Sequence, residues 1–187
     1  PASITKLKFS AKKYQIAYGK SINLKNELEI VPKKYSNQKL VWKISNPKYA
    51  KITSKGVVKP LKKGANKKVV VTVSTTNGKV TAKTTVHIMK GSVSKITAKS
   101  SKSIKSKANK SITLKTKVTT KGGKPVNQTL KWTSSNTKIA TVKGSGKTAA
   151  SAKVKIAKGV KKGKTVKITA ASTDGTGKKV VFKITVK

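Results

Sequence analysis

Shifting the sequence against itself by 90 positions superimposes Trp42 on Trp132, Asn46 on Asn136 and Ala50 on Ala140, with SINL (21–24) over SITL (111–114) and Ile52 over Val142. Several coincident landmarks on one offset restrict the chain to two copies of one structural unit. Further along, Asn77 of TTNGK (75–79) matches Asp174 of STDGTGK (172–178) at an offset of 97. The second copy therefore carries about seven more residues than the first between its Trp and its last hairpin, within 143–164.

Within each copy the apolar period is two. AKVKIAK (152–158) alternates strictly, TVKITA (165–170) and VFKITVK (181–187) nearly so, and VVVTVS (69–74) reads as a more fully buried strand. Ser54-Lys55-Gly56, Asn77-Gly78, Gly122-Gly123 and Asp174-Gly175 supply turns between them, and no segment keeps a helical apolar stripe over three turns. The expected fold is all-β: two tandem immunoglobulin-like antiparallel β-sandwiches, 1–90 and 91–187, the second with an expanded loop around 143–164. They meet near Met89-Lys90-Gly91-Ser92, a linker short enough to favour an extended rod.

The lone tryptophan of each copy fits this scheme. Trp132 is expected to supply the largest single block of buried area in a core of Val and Ile, with its indole N–H seeking an acceptor. Ser134-Ser135-Asn136 then forms a turn bonded through side chains, and Ile139, Ala140 and Val142 return to the core. Recurrence of the Trp at one place in both copies favours scaffold over sugar stacking.

NQTLKWTSSNTKIATV (127–142), the KKG at 161–163 and the closing VKITA and FKITV strands resemble the bacterial immunoglobulin-like domain, group 2. WKISNPKYAKIT (42–53) and KGVVKPLKKG (55–64) resemble the same pattern in copy one. The resemblance implies a repeated module of secreted or cell-surface bacterial proteins, part of a longer multidomain chain, with no catalytic residues to carry over.

Charge is the extreme feature of the composition. Lys and Arg together number 46 against 3 acidic residues, a formal +43, and every basic residue is Lys. Such a chain repels itself and draws anionic partners. Lys offers a hydrated point charge where Arg would offer a planar fork for reading guanine edges, so sequence-specific nucleic-acid recognition is disfavoured and only nonspecific binding in vitro is expected. Eight aromatics (2 Trp, 4 Tyr, 2 Phe) serve two cores, leaving few for base stacking.

Chemistry is scarce. With no Cys there is no disulfide or thiolate metal site, and one His with three acids leaves little for acid–base or nucleophilic catalysis. Glu27 and Glu29 are expected on the solvent face of one strand whose Leu28 and Ile30 face the core; His87 points outward between Val86 and Ile88; Asp174 opens a turn. GSGKT (144–148) lacks the earlier Gly of a phosphate-binding loop, since Thr141 stands there. No catalytic, cofactor or metal residues are assigned, and no apolar run is long enough to insert in a membrane.

The candidate contacts are the lysine clusters at comparable places in the two copies: Lys62, Lys63, Lys67 and Lys68 in the first, Lys158, Lys161, Lys162 and Lys164 in the second. The expected role is a non-catalytic structural or adhesive spacer, extracellular on a bacterial surface or wall, whose Lys-rich faces associate with anionic wall polymers or sulfated glycans. The alternative is a specific receptor domain for a glycan or glycosaminoglycan, with 143–164 as its contact surface.

Overall fold

The computed structural model describes residues 3–187. It divides into two compact units, Pro1–Gly91 and Ser92–Lys187. The first contains β1 (Lys6–Phe9), β2 (Lys13–Ala17), β3 (Ile22–Asn23), β4 (Leu28–Val31), β5 (Leu40–Ile44), β6 (Ala50–Ile52), β7 (Val57–Pro60), β8 (Lys68–Thr75) and β9 (Thr81–Met89). The second contains β10 (Ser92–Ala98), β11 (Ser103–Ser106), β12 (Ser111–Lys121), β13 (Leu130–Ser134), β14 (Ala140–Ser145), β15 (Ser151–Ile156), β16 (Thr165–Ser172) and β17 (Lys179–Val186).

In the second unit two four-stranded sheets, β10-β12-β15-β14 and β11-β17-β16-β13, enclose one core. Alternation places Leu114, Val154, Ile156, Ile168, Phe182 and Ile184 inside, all with no exposed surface. In the first unit the sheet β2-β9-β8-β5 is the counterpart of β11-β17-β16-β13, but the other layer is divided into β1-β4 and β3-β7-β6. The division has a local cause. A 3-10 turn at Leu24–Glu27, capped by Asn23, whose side chain accepts the Lys25 N–H, interrupts what in the second unit is one strand of 11 residues.

Pairing is antiparallel except for one edge in each unit, where β2 runs parallel to β9 and β11 parallel to β17. Strand lengths and burial also correct two expectations, one in each unit. The residues around 143–164 are not an expanded loop: β14 and β15 each have 6 residues where β6 has 3 and β7 has 4. Most of the added sequence lengthens a hairpin, because its alternating Ala/Val/Ile set finds inward positions on both strands. Likewise β8 is not buried on both faces; Val69, Val71 and Val73 point inward, while Val70 is 40% exposed.

The repeat is explained by a shared corner after each tryptophan strand. The Ser45 hydroxyl accepts the Val70 N–H at 2.9 Å, and the Ser135 hydroxyl accepts the Lys167 N–H at 3.0 Å. Immediately after, Asn46 Oδ1 accepts the N–H of Lys48 and Asn136 Oδ1 that of Lys138, both at 3.0 Å. The chain can then drop Ala50 and Ala140 into fully buried positions.

Candidate functional site

Both tryptophans are half-buried and packed against their own core. The Trp132 indole N–H donates to the Ala149 carbonyl at 2.7 Å, and its ring stacks 5.9 Å from Phe182 at 23°. Trp42 lies 6.2 Å from Phe9, tilted by 56°. A Cβ on Gly56 would stand 2.6 Å from Trp42 Cζ2, and one on Gly144 would stand 3.2 Å from Trp132 Cδ1. Each ring thus lies against a glycine of its own unit and packs on its own core, the arrangement of a scaffold residue.

The candidate lysines are exposed and fall on the connection that leads into the same strand of each unit, β8 or β16, with Lys68 as the first residue of β8. Lys62 and Lys63 lie in a 3-10 turn that ends at the buried Gly64, after which Asn66, at φ 67°, redirects the chain to Lys67 and Lys68. Lys158 follows β15. Lys161 and Lys164 bracket a turn tied to β17 by the Gly163 N–H to Val186 carbonyl bond at 2.8 Å. These loops hold their lysines as separate solvated charges; among the described residues no carboxylate is bonded to any of them.

The acids are dispersed. Glu27 ends the 3-10 turn rather than sharing a strand with Glu29, which corrects the sequence expectation: it accepts the Ser10 hydroxyl at 2.7 Å, whereas Glu29 pairs with Lys6 at 3.3 Å. Asp174 is the residue that sequence reasoning missed. Expected merely to open a turn, it is fully buried, and its carboxylate accepts the Val93 N–H at 2.7 Å, the Thr176 N–H at 3.0 Å and the Thr176 hydroxyl at 2.6 Å. The sequence carried no signal for this, since Asn77, its counterpart, bonds within its own turn to Thr75 and Lys79.

His87 is half-buried on the outer face of β9, in register with Gln15 of β2 and Lys68 of β8. Burial, then the nearby Lys68 and Lys13 charges, push its pKa below the ordinary 6.5. Among the described residues no group of three or more His, Cys, Asp or Glu could hold a metal ion, and no helix is long and apolar enough to cross a membrane. GSGKT lies at the tip of the β14–β15 hairpin, where a strand precedes and follows it, so its amides have no helix start from which to cradle a phosphate.

Each unit packs two β layers around one core, with one layer of the first unit divided in two. Each unit has an immunoglobulin-like fold. No protein-family model and no curated protein matches the chain. Solved structures similar to it include domains 4 and 5 of the S-layer protein SbsC, with a TM-score of 0.40 and 20% identity over 99% of both chains. The chain spans 28% of the longer SbsC structure rSbsC(31-844), at a TM-score of 0.41 and 20% identity. A bacterial Ig-like domain containing GH10 xylanase from termite gut matches 42% of this chain and 19% of its own length, with a TM-score of 0.34 and 25% identity.

Proposed function

We propose that the chain is a non-catalytic structural module of a bacterial cell-surface protein, built of two group 2 immunoglobulin-like domains, that associates with anionic polymers of the cell wall. The observation carrying this reading is the distribution of charge. Each unit buries an apolar core while nearly every solvent-facing strand position is Lys, Ser or Thr, and the second unit's one acid is hidden inside it. Such a surface attracts polyanions over distances set by the ionic strength, and among the described residues no group of three or more His, Cys, Asp or Glu accompanies the lysines. Lys62, Lys63, Lys67 and Lys68, with Lys158, Lys161, Lys162 and Lys164, extend the cationic surface into the loops.

The test is cosedimentation of the purified chain with bacterial wall fragments before and after chemical removal of their anionic polymers, over a salt series. Binding that falls with salt and disappears on stripping supports the reading. Equal binding to stripped and unstripped walls, or none to either, overturns it.

A further inference from the structure

Both sheets of the second unit expose lysines and each has a directly opposed pair, Lys143 with Lys153 on β10-β12-β15-β14 and Lys167 with Lys183 on β11-β17-β16-β13, but the 38% exposed Val181 breaks the second face with an apolar side chain. On the outer face of β10-β12-β15-β14, Lys143 of β14 stands directly opposite Lys153 of β15, and Lys155 stands opposite both Thr141 of β14 and Ser111 of β12. Beside them Lys153 faces Thr113, and Lys115 faces Ser151. At the far edge Lys117 faces Thr97 of β10. Every one of these lysines is exposed, while the alternate residues Leu114, Ala152 and Val154 are wholly buried. The result is a continuous array of ammonium and hydroxyl groups, spaced about 6.5–7 Å along a strand and about 4.8 Å between strands.

The first unit supplies an internal comparison. At the 90-residue offset, Lys117 and Thr119 occupy the places of Glu27 and Glu29. There the corresponding layer is broken by the 3-10 turn, and Glu29 neutralises Lys6. One copy thus has an interrupted, acid-bearing layer, and the other a continuous one without an acid.

From this we infer that the outer face of β10-β12-β15-β14 is the docking surface for a linear polyol-phosphate polymer, an inference that rests on the wall-associated reading above. Three features of the face select that chemistry. Directly opposed lysines repel each other in the free protein, so a bound polyanion removes a cost that isolated loop lysines do not carry. Hydroxyls between the ammonium groups can donate to phosphate oxygens without adding charge. The face carries no aromatic ring, so neither bases nor pyranose rings find a stacking platform, which favours a polymer whose backbone is acyclic.

The experiment uses the whole chain and an end-labelled poly(glycerol phosphate) of defined length, with a sulfated glycosaminoglycan oligosaccharide and single-stranded DNA of matched charge as comparators, read by fluorescence anisotropy. Two triple variants remove equal charge: K143Q/K153Q/K155Q on the sheet and K158Q/K161Q/K162Q on the loop. The expected result is a loss of about tenfold in affinity for poly(glycerol phosphate) in the sheet variant and about twofold in the loop variant, because concentrated charges act together and diffuse ones only through net charge. K143R/K153R/K155R, which keeps the charges, retains most of the affinity and separates charge loss from altered folding. Equal losses in the two triple variants, or preference for the glycosaminoglycan or DNA at matched charge, overturn the inference and leave wall association intact. Failure of the unaltered chain to bind any of the polymers at physiological salt is instead the failure of wall association itself.

Discussion

The buried carboxylate of Asp174 accepts the backbone N–H of Val93 at 2.7 Å, joining the last turn of the second unit to its first strand across 81 positions of sequence. Val93 lies where the β10–β12 register shifts, between Val93 and Lys95, so the ladder is irregular at that point. Asp174→Ala leaves this amide and both Thr176 donors without their acceptor, and the expected loss is roughly 2–3 kcal/mol from the second unit. Asp174→Asn, which keeps one acceptor oxygen but turns an N–H2 toward a donor, loses less. Urea unfolding followed by Trp132 emission in a Trp42→Phe background reads this unit; a midpoint unchanged in Asp174→Ala would show that the bond is dispensable.

Gly56 and Gly78 allow backbone strain to be separated from packing. Both have positive φ, 79° and 71°, but an added Cβ at Gly78 meets open space whereas at Gly56 it meets Trp42 Cζ2 at 2.6 Å. Gly78→Ala is expected to cost about 1 kcal/mol for the left-handed conformation alone. Gly56→Ala adds overpacking of the ring and is expected to cost roughly 2–4 kcal/mol, with a shift in Trp42 emission. Equal stability of the two variants would mean that the indole moves aside freely.

What could be read from the sequence was local. Asn46 and Asn136 form their turns through bonds two residues apart, and the strands at 152–158 and 165–170 advertise their inward faces by alternation. The features that escaped depend on distant partners or on competing local choices. Asn-Glu-Leu-Glu-Ile alternates like a strand, but Asn23 caps a 3-10 turn and moves Glu27 out of it. The length of the β14–β15 hairpin was hidden because Gly144 and Gly146 imitate the start of a loop, although Gly144 is a strand residue paired with Ala152 beneath the indole of Trp132. Asp174 gave no sign of Val93, which lies in another strand. The basic sheet face was equally concealed, since it requires knowing which lysines become cross-strand neighbours.

His87 gives the first unit a pH dependence of defined sign. Its folded pKa lies below the ordinary 6.5 because of burial first and then Lys68 and Lys13, so between those two values the unfolded chain binds more protons. The associated stability is fully present above about pH 6.5 and is lost as pH falls through the lowered folded value. Chemical denaturation at a series of pH values between 7.5 and about 4.5 should show this slope, and His87→Gln should remove it. Lys68→Gln should reduce the slope without abolishing it, since burial and Lys13 remain. A slope that survives His87→Gln unchanged would assign it to other groups.

The opposed pair Lys143 and Lys153 makes a prediction about stability that is independent of any ligand. Both side chains are exposed, so their repulsion is modest, on the order of 0.2–1 kcal/mol for like charges facing each other across two strands. Because the charges are in solvent, the repulsion is screened within a Debye length of about 10 Å at 0.1 M salt and about 3 Å at 1 M. Lys153→Thr preserves strand propensity and removes one charge from a position that also faces Thr113. The variant should therefore unfold at a higher urea concentration than the parent at low ionic strength, and the gap should close as salt rises. Lys158→Thr, outside the strands and without a facing lysine across a ladder, should change much less at any salt. A gain for Lys153→Thr that persists undiminished at 1 M salt would be due to packing or propensity, and the repulsive pair would then not be what holds the face above its relaxed energy.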